Sequence, residues 1–353
     1  MSGSVGTNSS RRSGSIGAAA SGPTVSASNP AIDTNAAVGT QWANSSTGDF
    51  YVCTDATDGA NVWTNVDAGQ DSIQPWTFQG SQYGVSMGGQ VPNINVVERY
   101  SYSADADSTD VGNLLASTYQ WGYSYTHGGG GTAIDVISKV ANVSTADSTD
   151  VGNLILAVFS ASGSSSSTHG YSSGGVTGTT GPKQDSITKF SVTSDADATD
   201  VANLLATTSI AAGLSTVDYG WVAGNDPVSN VIQRFSFSSD TDSTDVGNLH
   251  TAAVACSGTS DTDYGFVSGN YPMVNVIQRF QFASSSDATD NANLFQTSSH
   301  AGSSSATGYG YVHGGYVPLG TNVIQKYQWA ASADGTDVAN LLGAHWSKAG
   351  AQY

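Results

Sequence analysis

The chain has 353 residues, 42 of them glycine, a formal net charge of −18 and a pI near 4.2. Charged residues make up 11% of it, well under the roughly 25% of an ordinary globular domain, whereas sixteen Tyr, ten Phe and seven Trp argue against disorder. The acidic balance speaks against nucleic acid, which requires a basic face, and against an anionic membrane surface. No apolar run approaches membrane-spanning length.

Residues 1–22 are rich in Ser and Gly, carry Arg11 and Arg12, and lack the apolar core of a secretory signal. They read as a flexible anchoring arm that orders on a partner. Residues 23–70 form the next segment. Within it, residues 38–65 predict a short three-stranded β-meander, with turn signals at Ser46-Thr47-Gly48-Asp49 and Asp58-Gly59. Trp42, Tyr51 and Trp63 supply its only large apolar groups. A unit this small is marginal alone and calls for self-association or docking. Cys53 and Cys256 lie in different segments, so no disulfide framework is implied. A reducing compartment is expected.

From residue 71 onward one phrase recurs. An apolar strand and a Ser/Asp turn lead into Thr-Asp-x-x-Asn-Leu, most clearly over residues 230–249. The Thr-Asp pairs begin at Thr109, Thr149, Thr199, Thr244, Thr289 and Thr336, at spacings of 40, 50, 45, 45 and 47. A period of that length with several short strands predicts a β-propeller. Each repeat divides into a small-residue first strand and a second strand ending in Gly-Gly or Gly-Asn. A third strand of NVIQRF type and a short fourth strand around Val-Gly-Asn-Leu complete it. The first Gly-Gly strand, residues 83–89, precedes the first full repeat, and the last repeat ends after a first strand within residues 345–353. The partial ends sum to one blade. The prediction over residues 71–353 is therefore an all-β, six-bladed propeller closed by strand exchange, with residues 345–350 pairing with 83–88. Closure removes the unpaired edges of an open array.

This strand order resembles the kelch repeat, although Val246-Gly247-Asn248-Leu249 stands where the kelch tryptophan is usual. The Ser-Asp-x-Asp-x-Thr-Asp turns are similar to those of kelch-like virion proteins of marine tailed phages, and residues 38–65 resemble short meanders of phage fibre and tail proteins. The resemblance implies a virion structural protein assembled in the host cytoplasm. It would be a tail fibre, knob or spike whose propeller contacts a host cell-surface glycan or protein. Residues 1–70 would bind other virion proteins or trimerise. A capsid decoration protein without a receptor role is the alternative, and a carbohydrate-active enzyme on the same scaffold is the rival from another class.

One basic residue recurs in each repeat: Arg99, Lys139, Lys189, Arg234, Arg279 and Lys326. A charge inside a sandwiched strand needs a partner. The repeated Asp110, Asp150, Asp200, Asp245, Asp290 and Asp337 are the expected ones, in a ladder of mostly buried ion pairs. The alternating Asp105, Asp107 and Asp110, with their counterparts Asp195, Asp197, Asp200, Asp240, Asp242 and Asp245, invite a calcium reading. The EF-hand glycine and distal glutamate are missing, so no metal or cofactor is expected. No catalysis is expected either. His127, His169, His250, His300, His313 and His345 are dispersed without ligand spacing, and the five arginines do not supply the cluster a sialidase uses. The second–third connections differ most between repeats and offer a specific surface. On them Tyr271, Met273, Tyr316 and Leu319 are the candidate receptor contacts.

Overall fold

The computed structural model describes residues 22–66, 73, 77–90, 92–115, 125–127, 133–140, 145–178 and 181–352. The chain is all-β, with no helix among the described residues. It divides into two compact units, Met1–Trp76 and Thr77–Tyr353. Of the expected anchoring arm, only Gly22 lies within the described residues.

In the first unit the strands Gln41–Asn44, Phe50–Asp55 and Val62–Asn65 form an antiparallel meander. Its first turn follows from Asn44, whose side-chain oxygen accepts the backbone N–H groups of Ser46 and Thr47, an Asx turn. Thr24–Ser26 adds a fourth strand, parallel to Gln41–Asn44, which sequence reasoning missed because three residues carry no periodicity. Tyr51, Cys53 and Trp63 are fully buried. Trp42 packs edge-on against Trp63 at 5.9 Å.

The second unit holds six four-stranded sheets among its described residues. Sheet I consists of Ala349–Gln352, Tyr83–Met87, Val96–Ser101 and Thr109–Asn113. Sheet II has Tyr125–His127, Ile134–Lys139 and Thr149–Phe159, joined at its far edge by Val176–Thr177. The small-residue first strand expected to follow the first Asn-Leu pair is not among the described residues. Sheet III runs Ser162–Ser165, His169–Ser173, Gln184–Ser191, Thr199–Thr208. Sheet IV runs Ala212–Ser215, Tyr219–Ala223, Ser229–Ser236, Thr244–Ala253. Sheet V runs Ser257–Ser260, Tyr264–Ser268, Val274–Gln281, Thr289–Ser298, and sheet VI Gly302–Ala306, Tyr309–His313, Thr321–Gln328, Thr336–His345.

Sheet I takes its first strand from the end of the chain. Ala349 pairs with Met87, Ala351 with Val85 and Gln352 with Gly84, antiparallel. The strand starts four residues later than expected, because Thr336–His345 continues as the fourth strand of sheet VI.

A steric rule fixes the middle of sheets I and III to VI. The glycine of the second strand lies opposite an aromatic residue of the third: Gly84 with Tyr100, Gly170 with Phe190, Gly220 with Phe235, Gly265 with Phe280 and Gly310 with Tyr327. A Cβ on these glycines would come within 2.2–2.6 Å of the ring, so the ring lies flat over the glycine and a larger residue would expel it. Around those rings the buried aromatic clusters form, for example Trp221 with Phe280 and Phe282.

At the seam made by the two ends, a buried ion pair replaces a pattern used elsewhere. In sheets IV, V and VI the third strand carries Gln233, Gln278 and Gln325. Their side-chain oxygens accept the N–H of Leu205, Thr251 and Gln296 on the preceding sheet's fourth strand. In sheet I the equivalent residue is Glu98. One carboxylate oxygen accepts Leu342 N–H from sheet VI and Ser108 O–H. The other, standing where glutamine has its amide nitrogen, meets Lys348 Nζ at 2.7 Å. Lys348 occupies the position of Ala161, Ala211, Cys256 and Ala301 in sheets III to VI, and both charges are buried, 0% and 1% exposed. Burial pushes the Lys348 ammonium below its ordinary value, and Glu98 pulls it back.

Two outcomes follow. Lys348→Ala alone strands the Glu98 carboxylate and should lose about 3–5 kcal/mol. The double variant Glu98→Gln/Lys348→Ala rebuilds the Gln233/Ala211 arrangement of sheet IV and should unfold in denaturant close to the parent. Equal losses in the two variants would contradict this. The second outcome concerns acid. His313 is fully buried, and burial, then the Lys348 charge, pushes its pKa down to about 3, while burial takes His300 to about 4. Below an unfolded value of about 6.5 the unfolded chain gains protons that the native chain does not, so stability falls as pH drops from 6.5 towards the folded values. His313→Met, which copies Met87 at the equivalent position, should flatten the decline of melting temperature between pH 6.5 and 4.

Candidate functional site

The polar residues repeated in every sheet are engaged with one another. The Asn of each Asn-Leu pair grips the following sheet. Its backbone N–H and its side-chain amide both donate to one carboxylate oxygen in that sheet's Asp-rich turn, three residues before the Thr-Asp aspartate. The pairs are Asn113 with Asp147, Asn153 with Asp197, Asn203 with Asp242, Asn248 with Asp287 and Asn293 with Asp334. The sixth, Asn340 with Asp107, runs from sheet VI back to sheet I. The N–H distances are 2.8–2.9 Å. The same Asn carbonyls accept the N–H of the residue after the aspartate: Ser148, Ala198, Ser243, Ala288, Gly335 and Ser108.

This geometry corrects the expected ion-pair ladder. Asp110, Asp150, Asp200, Asp245, Asp290 and Asp337 are all exposed. Three of them turn inward on their own strand, where Asp110, Asp150 and Asp245 accept the N–H of Gly112, Gly152 and Gly247. The cations pair instead with an aspartate five residues earlier, in the next sheet: Lys139 with Asp195 at 3.8 Å, Lys189 with Asp240 at 2.7 Å and Lys326 with Asp105 at 2.8 Å. Where that position is Thr145, Ser285 or Ser332, the cation is Arg99, Arg234 or Arg279. Each arginine lies over a tyrosine of the second strand: Arg99 over Tyr83, Arg234 over Tyr219 and Arg279 over Tyr264, at 4.5–4.8 Å. Arginine suits a stacked site because its planar cation is weakly hydrated, whereas lysine acts as a point charge for a carboxylate. Arg99, Arg234 and Arg279 are half-buried and not mostly buried, and Lys139 is exposed. Of the nine aspartates weighed as calcium ligands, Asp105, Asp107, Asp195, Asp197, Asp240 and Asp242 are held by these lysines and asparagines, while Asp110, Asp200 and Asp245 are exposed Thr-Asp aspartates.

At the opposite end of each sheet the second–third connections form a rim. A residue of positive φ precedes each described first strand of sheets III to VI and I: Ser160, Ile210, Ala255, His300 and Ser347, at φ 52–58°. Such angles are uncommon outside glycine, and an outlier for a β-branched residue such as Ile210. A backbone relay offsets them. Ile210 donates to Ser160 O, Ala255 to Ile210 O, His300 to Ala255 O and Ser347 to His300 O. Beside this relay the connections dock: Asp226 N–H on Ser209 O, Tyr271 on Val254 O, Tyr316 on Ser299 O and Gln90 on Trp346 O.

The rim brings two of the four candidate contacts together. Tyr271 meets His300 at 6.4 Å, His300 meets Trp346 at 5.5 Å, and Trp346 meets Tyr316 at 5.4 Å, all edge to face. Tyr271 is 54% exposed and Leu319 86%, while Met273 and Tyr316 are half-buried. Sequence reasoning missed His300 and Trp346. Their signal was position: each stands at or next to the residue that turns the chain into a first strand, where the other sheets carry Ile210 or Ala255.

The clasp yields a paired test. Asp287→Ala removes the acceptor for Asn248 and should lower stability by about 1–2 kcal/mol. Asp290→Ala, three residues on, should stay within about 0.5 kcal/mol of the parent. Denaturant midpoints at constant slope would measure both, and an equal effect would reject the clasp.

Neither family models nor curated proteins match this chain, so these roles rest on its own residues.

Proposed function

We propose that residues 77–353 form a closed six-bladed propeller of kelch-like type. We further propose that the protein is a structural part of a tailed-phage virion, a fibre, knob or spike whose propeller meets the host surface. Closure is supported by two features: the pairing of Ala349–Gln352 with Tyr83–Met87, and the run of the Asn–Asp clasp from sheet VI to sheet I. The functional reading is carried by a division of labour. The asparagine and aspartate of the clasp, which repeat in every sheet, are consumed in holding sheets together, and the connections that differ are gathered on one rim with partly exposed aromatic rings.

Topology adds direction. In an antiparallel sheet the first–second and third–fourth connections share one end. The chain enters ahead of Tyr83, a second strand, and leaves after Gln352, a first strand. Both lie at the end of the Asp-rich third–fourth turns, opposite the aromatic rim.

Two measurements test the proposal. Deleting residues 347–352 should expose the Tyr83–Met87 edge, lower the melting temperature and promote association. A monomer with unchanged melting would sink closure. Mass spectrometry and antibody labelling of purified particles should find the chain at the tail or its fibres. Label spread over the capsid shell would favour a decoration role, and absence from particles would end the virion reading.

A further inference from the structure

We infer that Trp346, His300, Tyr316 and Tyr271 form a binding subsite for a neutral saccharide, with a pyranose ring seated on the aromatic arc. The inference deepens the host-contact reading and rests on it for its biological setting, not for its chemistry.

The arc has what a sugar demands. The C–H faces of a pyranose need apolar, polarisable rings, and the hydroxyls around its edge need hydrogen-bonding heads within reach. Here four rings touch in sequence. Trp346 Nε1, His300 Nε2 and the Tyr271 and Tyr316 hydroxyls carry no hydrogen bond among the described residues, and none of these atoms is sealed from solvent. His300 Nδ1 lies 3.2 Å from Ser299 Oγ, which sets the ring's orientation. Burial keeps that imidazole neutral near pH 7, its pKa lowered to about 4, so it presents a polar edge without a charge.

The site is also held in place. The backbone of each member is bonded to a neighbouring segment: Tyr271 N–H to Val254 O, His300 N–H to Ala255 O, Tyr316 N–H to Ser299 O, and Gln90 N–H to Trp346 O, at 2.7–3.0 Å. Little ordering is left for a ligand to impose, which favours binding by small, weakly adhesive molecules.

Charge selects the class. The chain carries −18. Lys183, the cation near this rim, is already bonded to Asp226 through both its carboxylate and its carbonyl. With no free cation beside the arc among the described residues, a sialylated or phosphorylated sugar meets repulsion without compensation, whereas a neutral one does not.

The test uses the full chain and saturation-transfer NMR with tryptophan fluorescence. The probes are the methyl glycosides of glucose, galactose and mannose and the disaccharide chitobiose, with 3′-sialyllactose as the anionic control. At least one neutral probe should bind saturably. Trp346→Ala and Tyr316→Ser should each weaken it about tenfold or more, and Tyr271→Ser about threefold, the affinity equivalents of losing one ring contact or part of one. Trp346→Phe, which keeps a ring and guards against a folding defect, should retain most of the binding. The inference is overturned if no neutral probe binds, if sialyllactose binds as well as they do, or if binding survives Tyr316→Ser and Trp346→Ala in folded protein. Saccharide binding by a chain absent from purified particles would remove the virion reading and leave the subsite. A particle-borne chain that binds none of the probes would do the reverse.

Discussion

One aspartate oxygen, gripped by the main chain and side chain of an asparagine from the preceding sheet, is the contact on which the second unit depends. A four-stranded sheet with small residues in its first strand cannot bury both faces alone and is stable only against neighbours. Apolar packing supplies most of the energy but is non-directional, and alone it leaves the angle between sheets loosely set. The clasp sets it. Three hydrogen bonds join Asn248 to Asp287 and Ala288, and the same three join Asn340 to Asp107 and Ser108 across the chain ends. The same contact recurs at all six junctions between sheets, including the one from sheet VI back to sheet I.

The seam shows how such an array tolerates a break in the chain. Sheet I alone is built from both ends, and its first strand has no short loop tethering it to the second. A buried glutamate–lysine pair stands there in place of a glutamine and a small residue. Such a pair adds little to stability over an apolar or amide replacement, but it penalises any arrangement in which one charge loses the other. Register is what an untethered strand lacks. Lys348, immediately before Ala349 in that strand, reaches Glu98 only in the observed pairing.

The six-fold repeat, its strand division and the joining of its ends were legible in the sequence, because Thr-Asp-x-x-Asn-Leu recurs at regular spacing and the surplus strand at one end matches the deficit at the other. The partners of the repeated charges were not. A Thr-Asp aspartate beside a recurrent cation suggests an ion pair, yet Gln233 and Arg234 alternate across their strand, so the glutamine meets the preceding sheet at Leu205 and the arginine the following one at Phe282 O. The better signal was Asp107, Asp147, Asp197, Asp242, Asp287 and Asp334, present in every repeat, whereas the aspartate five residues before each Thr-Asp aspartate occurs in three. That partial occurrence is itself informative, since it tracks whether the cation is lysine or arginine. Trp346 and His300 escaped notice for a different reason. Their meeting depends on positive-φ turns in two sheets, and no local pattern in the chain encodes a contact between residues 46 positions apart.

The aromatic arc and the joined ends are linked by position. Tyr271 belongs to the connection of sheet V and Tyr316 to that of sheet VI. His300 precedes the first strand of sheet VI, and Trp346 precedes the terminal strand that completes sheet I. The arc therefore crosses the seam, and Trp346 reaches Tyr316 and His300 only while the end of the chain is seated against Tyr83–Met87. The Glu98–Lys348 pair lies directly behind this: Lys348 follows Ser347, whose N–H bonds His300 O, and Trp346 precedes it. The residues that hold the last strand in register thus also hold the tryptophan in the arc, so the rim and the seam form a single assembly in which loosening the ends dismantles the site.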